Sequence, residues 1–221
     1  MGTTRREMVR QLLETYGRTY AEEAGITLRD TPRPLYRLLV LASLLSARIR
    51  AGVAVAAAKE LDKAGMRDPR RMAAATWQER VDALGRGGYR RYDERTATQL
   101  GEGARLVTER YGGDLRRLRK RAAGDLAELR RDLREFPGVG PAGADIFLRE
   151  VQRVWPEVAP AIDEKALQGA RRLDLPDTPA ALLRLAPGAD PATLAAALVR
   201  VALDKHAADA FGERISQPAH A

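Results

Sequence analysis

The chain has 221 residues, with 38 Lys plus Arg against 30 Asp plus Glu, giving a net charge of +8. That length suits one sizeable domain or two small ones with a real core. The absence of cysteine excludes disulfides, thiolate nucleophiles, iron–sulfur clusters and cysteine-ligated zinc. With only His206 and His220 as imidazoles, no metal site built from side chains is expected.

In chain order, almost every periodic segment follows the helical period rather than strand alternation. Helices are predicted at 4–16, 32–48, 51–63, 69–75, 77–84, 92–110, 125–134, 141–154, 163–173, 179–186 and 191–211. Thr31-Pro32, Asp68-Pro69, Thr178-Pro179 and Asp190-Pro191 place a capping residue before a proline at the first helical position. Thr76 with Glu79 reads as a capping box. Gly17, Gly65 and Gly212 stand where helices would end. The segment from Leu35 to Leu45 has hardly any polar face and is expected at the centre of a bundle. GRGGYRRYDER (85–95) and YGGDLRRLRKR (111–121) break the helical rhythm, and ISQPAHA is expected to fray. The fold class is all-α.

No apolar run approaches the roughly 18 residues of a membrane span, and MGTTRREMVRQLL lacks a signal-peptide core. A soluble intracellular protein is expected. The residues from Leu173 onward carry four basic and six acidic groups, so the positive excess lies in the first 172. Such a concentration suits a polyanion-binding surface, and equally a solvated helix face. Arg116, Arg117, Arg119, Lys120 and Arg121 are candidates for phosphate contacts. Tyr89 and Tyr92 flank Arg90 and Arg91, a pattern in which an aromatic ring stacks on a base or packs beneath the glycine turn. Trp77 and Trp155 read as core. His206 receives no role.

The sharpest feature is DLAELRRDLREFPGVGPAGADIFLREVQRVW, residues 125–155, which reads as helix, five-residue hairpin, helix. Phe136-Pro137 ends the first helix, Gly138 and Gly140 free the backbone, and Pro141 starts the second. Such a turn aims backbone N–H groups at one spot, where a phosphate oxygen fits. Its carbonyls face the other way, making them a candidate site for a monovalent or divalent cation. Ala142, Gly143 and Ala144 allow close approach of a phosphate strand or of another helix.

FPGVG with the Ala-rich helix after it resembles the helix-hairpin-helix of the endonuclease III superfamily of DNA glycosylases. LYRLLVLASLLSARI (35–49), GGYRRYDERTATQL (87–100), YGGDL (111–115) and VWPEVAPAID (154–163) resemble further family segments, in the family's order, over roughly residues 30–173. The resemblance implies a two-lobed helical fold: a barrel at 31–135, and a second lobe from 1–30 and 136–221. The hairpin and catalytic carboxylate are expected at the cleft between the lobes.

It implies that Asp163 is that carboxylate, that Gly138, Val139, Gly140, Ala142 and Gly143 grip DNA, and that Arg48 wedges into the duplex. The lysine of the family's lyase branch is Ala142 here, with no lysine within twenty residues on either side. A monofunctional enzyme of base-excision repair is implied, acting on lesion-containing double-stranded DNA as a cytoplasmic, nucleoid-associated monomer without a cofactor. Asp163 also suits a helix N-cap on stability grounds alone. The alternative is therefore a non-catalytic binder of damaged or abasic DNA. The connection from hairpin to Asp163 is about three residues longer than the common pattern, and Glu164-Lys165-Ala166 replaces a Thr-His type of continuation.

Overall fold

The computed structural model describes residues 4–204 and Phe211. His206, Gly212, His220 and ISQPAHA lie outside the described residues. Every regular element among the described residues is helical: α1 (Arg5–Tyr16), α2 (Tyr20–Glu23), α3 (Pro32–Ser46), α4 (Ala51–Lys63), α5 (Pro69–Ala74), α6 (Trp77–Arg86), α7 (Asp93–Tyr111), α8 (Arg116–Ala122), α9 (Leu126–Arg134), α10 (Pro141–Val151), α11 (Glu164–Arg172), α12 (Pro179–Leu185) and α13 (Pro191–Leu203), with a 3-10 turn at Pro156–Val158. The protein is all-α. No described helix is long and apolar enough to cross a membrane.

Caps act at several of the expected starts. Asp68 accepts from the amide of Arg71 and Asp190 from that of Ala192. Thr76 and Glu79 form the reciprocal box, at 3.1 Å and 2.6 Å. Thr31 and Thr178 take the extended cap backbone without a side-chain bond, so the following proline sets the helix start there. Two helices were missed by the sequence reading, α2 and α8. In α8 an apolar line through the buried Leu115, Leu118 and Ala122 hides among five cations. The expected break at 111–121 is thus a helix entered through Gly112 and Gly113, both at positive φ.

Residues group into two compact units, Tyr20–Val158 and Met1–Thr19 with Ala159–Ala221. Helix α10, which follows the hairpin, packs on α3 and α9. The hairpin therefore belongs with the helices that precede it.

In the first unit α3 is the central helix, as expected: Leu35, Leu38, Leu41, Ala42 and Leu44 are fully enclosed. Helix α7 packs on α5 and α6, and the buried Arg80 ties them together. Its guanidinium donates to the carbonyls of Ala97 at 2.7 Å, Met72 at 3.0 Å and Ala75 at 2.6 Å. Three carbonyls satisfy a buried cation that would otherwise be costly. Trp155 is also core, with its indole N–H on Asp30 at 2.9 Å. Trp77, expected in the core, is 41% exposed. It opens α6, where its indole N–H binds the Glu94 carbonyl and the Thr98 hydroxyl, so the ring lies on the surface of α7.

In the other unit α13 packs against α11 and α1. Gly169 makes the α11–α13 crossing, since any Cβ there would fall on the backbone carbonyl of Leu198.

Candidate nucleic-acid interface

Helix α9 runs into a turn anchored by two buried side chains, Phe136 and Val139. The amide of Val139 returns to the carbonyl of Phe136 at 2.9 Å, closing the turn. Gly138 sits at φ +83°, a conformation that favours glycine. A Cβ on Gly138 would stand 2.9 Å from Ser43 Oγ and 3.0 Å from Gln99 Oε1. The hairpin is therefore seated directly on α3 and α7.

Ser43 and Ser46 complete the seat. Ser46 donates to the Ser43 carbonyl at 2.7 Å and lies 3.3 Å from the Gly138 carbonyl; Ser43 Oγ lies 3.4 Å from that same oxygen. A hydroxyl has one proton, and the short bond to Ser43 uses that of Ser46. The Gly138 carbonyl is left with one long, weak donor, the Ser43 hydroxyl, and retains accepting capacity. The Phe136 and Gly140 carbonyls each accept one backbone amide, from Val139 and Ala144. Among the described residues no cluster of carboxylates and imidazoles could hold a metal ion.

Beyond the turn, Gly140 caps α10 without a side-chain bond, and Pro141 has no amide to offer. The amides of Ala142 and Gly143 lie in the first turn, with Gly140, Pro141 and Ala142 exposed. An open helix start of this kind carries partial positive charge and suits an anion. Gly143 is buried against Val139 and Ser46, so its small size serves packing onto α3. Val139 contributes an anchor rather than a contact surface, because its side chain is 4% exposed and its amide is spent within the turn.

The arginines divide sharply. Arg48 is exposed in the bend immediately after α3, two residues beyond Ser46. Arg90 is exposed, and Arg91 is exposed with its guanidinium 5.3 Å from the Tyr92 ring. Tyr89 is 1% exposed and is no stacking platform; burial pushes its phenol above the ordinary range. Tyr92 alone of that pair reaches the surface in part.

On α8, Arg116 is clamped to Asp114 by bonds of 3.0 and 2.7 Å, which hold the Asp114 carboxyl below its ordinary range. Arg119 bridges Asp30 at 2.7 Å and Glu157 at 2.7 Å, over the Trp155 ring. Arg121 pairs with the buried Asp132. Arg119 and Arg121 tie separate elements together, Arg116 is exposed and paired only with its near neighbour Asp114, and Arg117 and Lys120 are exposed without an ion pair among the described residues.

Asp163 is the N-cap of α11, its carboxylate accepting the Ala166 amide at 3.0 Å. It is half-buried, and Ala166 behind it is fully enclosed. Lys165 points to Gln168 at 2.8 Å on the exposed face. Ser43, Ser46 and Gln99 were not singled out from the sequence. The two serines carried a signal, a polar pair three residues apart on a helix otherwise almost wholly apolar. Gln99 carried none.

No protein-family model matches the chain, and no curated protein matches it. Among solved structures it is similar to a trapped endonuclease III–DNA covalent intermediate, an estranged-adenine complex. The two share 18% identity over 88% of this chain and 84% of that one, with a TM-score of 0.48. A likeness that slight carries no conclusion about the site.

Proposed function

We propose that the protein is a monofunctional DNA glycosylase of base-excision repair, hydrolysing the bond between a damaged or mispaired base and deoxyribose. The observation that carries this reading is the FPGVG hairpin. It is seated on α3 by Gly138, Ser43 and Ser46, and it opens an exposed, uncapped start of α10. Phosphate oxygens bind the amides of that start, and Arg48, Arg90, Arg91, Arg117 and Lys120 add positive charge around double-stranded DNA. Arg48 fills the gap left when a base leaves the stack.

The chemistry then needs little from the protein. A flipped base exposes its glycosidic bond, and cleavage passes through an oxocarbenium-like sugar. The Asp163 carboxylate stabilises that charge and orients the attacking water. No lysine lies within twenty residues of Ala142 on either side, so strand scission is expected to require alkali. Without cysteine no iron–sulfur cluster can form on this chain. A cation at the hairpin, where the Gly138 carbonyl keeps accepting capacity, would strengthen phosphate binding without entering the chemistry.

A second reading is supported by the bond from Asp163 to Ala166, because a cap explains an aspartate there without catalysis. In that reading the protein recognises damaged or abasic DNA and leaves it intact. A single-turnover excision assay decides between them, using duplexes with uracil, alkylated purines, oxidised bases or an abasic site. Base release that needs alkali for strand cleavage and vanishes in Asp163→Asn supports the glycosylase. Lesion-selective binding by both proteins, with every base retained, makes this a binder.

A further inference from the structure

The hairpin meets α7 at Gln99, whose side-chain oxygen lies 3.0 Å from where a Cβ on Gly138 would stand. Arg95 lies four positions earlier on α7, so it shares that face of the helix one turn away. It is exposed, and no ion pair or hydrogen bond engages its guanidinium among the described residues. Its position is an unfavourable one for a cation. Arg95 is the third residue of α7, whose Tyr92 cap supplies no side-chain acceptor, so its charge opposes the positive end of the helix dipole. Asp93 and Glu94 suit that first turn; Arg95 does not.

We infer that Arg95 holds a DNA phosphate, and that the strand crossing the hairpin continues along the first turn of α7 to the bend at Arg90 and Arg91. The inference rests on the reading of the hairpin as a DNA grip and adds the path of the strand beyond it. Arg90, Arg91 and Arg95 are all exposed there without an ion pair among the described residues. Arg95 stands between the other two and the hairpin. In the opposite direction along the same face comes Glu102, exposed and negative, three positions past Gln99. A phosphate strand is repelled on that side and drawn towards the start of α7. The two acids at this start do not reverse the balance. Asp93 is half-buried and accepts the Glu94 amide at 2.9 Å. Glu94 projects about 100° around the helix from Arg95, on the side where its carbonyl receives the Trp77 indole. A cluster of exposed arginines at this place positions the backbone and leaves base selection to other groups.

The experiment measures duplex binding by fluorescence anisotropy across a salt series. Arg95→Ala is expected to lower the slope of log affinity against log salt by about 0.9, and affinity by roughly eightfold near 0.1 M salt. Arg95→Lys keeps the charge and is expected to keep the slope. Arg105→Ala removes the same charge ten positions further along α7, past Gly103 and its contact with Pro137, and is expected to leave the slope unchanged. Melting temperature separates a contact from a support. Arg95→Ala and Arg95→Glu are expected to melt no lower than wild type, because each removes a cation from the start of a helix.

An unchanged slope in Arg95→Ala, or an equal drop in Arg105→Ala, would overturn the inference. So would lower melting in both Arg95→Ala and Arg95→Glu, which would make Arg95 a support for α7. Absence of any wild-type DNA binding would overturn the hairpin reading as well. Binding without excision would remove the glycosylase reading alone, because the Arg95 comparison needs no turnover.

Discussion

Gly138 holds a φ of +83° directly against Ser43, whose hydroxyl oxygen would stand 2.9 Å from any Cβ added there. Strain and collision therefore coincide at one position. Gly138→Ala is expected to lower stability by about 1–3 kcal/mol, the range for a non-glycine residue forced into such a conformation. Ser43→Ala removes only a 3.4 Å contact and should cost less than 1 kcal/mol. If the hairpin grips DNA, Gly138→Ala also loses affinity well beyond Ser43→Ala. Urea unfolding and anisotropy titrations on the same preparations check both statements.

Asp163 can be dissected because its two roles tolerate different substitutions. As the cap of α11 it accepts from Ala166, and asparagine serves that purpose about as well as aspartate. Asp163→Asn is expected to change stability by a few tenths of a kcal/mol, and Asp163→Ala to cost about 1 kcal/mol. Base release is expected to fall about 100-fold or more in both, since neither supplies a carboxylate. Loss of activity in Asp163→Ala alone, tracking stability, would reduce Asp163 to a cap.

The basic helix α8 offers a test of which cations face a ligand. Arg117 and Lys120 are exposed without an ion pair among the described residues, whereas Arg119 joins Asp30, Glu157 and the Trp155 ring. Arg117→Ala and Lys120→Ala are each expected to lower the slope of log affinity against log salt by about 0.9, one phosphate apiece. Arg119→Ala should leave that slope unchanged and lower the melting temperature. A changed slope in Arg119→Ala alone would reverse the assignment.

How far the sequence carried these conclusions depended on the range of the interactions involved. Helix starts at Asp68, Thr76, Asp163 and Asp190 are legible because a cap and its target amide lie within three residues. The centrality of α3 follows from its lack of a polar face. Helix α8 is harder, because three apolar residues among five cations make a weak stripe, and its Arg119 and Arg121 pair with residues far along the chain. Trp77 leaves its expected place for the same reason, while the burial of Tyr89 agrees with one of its two readings, a ring packed beneath the glycine turn. Whether a ring by a glycine turn is covered depends on helices the local sequence does not name. The hairpin itself was readable, but not its seat on Ser43 and Gln99, which lie 95 and 39 positions upstream.

Helix α11 crosses α13 at Gly169, where a Cβ would coincide with the Leu198 carbonyl and lie 2.7 Å from its carbon. Backbone on the other side cannot move aside as a flexible side chain would. Gly169→Ala is therefore expected to destabilise the unit containing α1, α11 and α13 by about 1–3 kcal/mol or more, as overpacking does, despite alanine's better helix propensity. Hydrogen exchange should show faster opening of α11 and α13. Protection in α3 and α10 serves as the internal reference, since those helices belong to the other unit.

Acid titration tests the network over Trp155. The bond from Arg119 holds the Glu157 carboxyl below its ordinary range, with burial opposing in part. A carboxylate whose pKa is lower folded than unfolded adds stability that is present above the unfolded value. That stability disappears as pH falls through the folded value, because the unfolded chain takes up the proton first. In Arg119→Met, which keeps an apolar contact on the ring, Glu157 loses its partner and this contribution vanishes. Wild type is expected to be the more stable at neutral pH, and its advantage in urea midpoint to shrink between about pH 5 and pH 3. Asp114, held down by Arg116, titrates alike in both proteins and cancels in the difference. An advantage constant across that range would mean that Arg119 acts through packing on Trp155 alone.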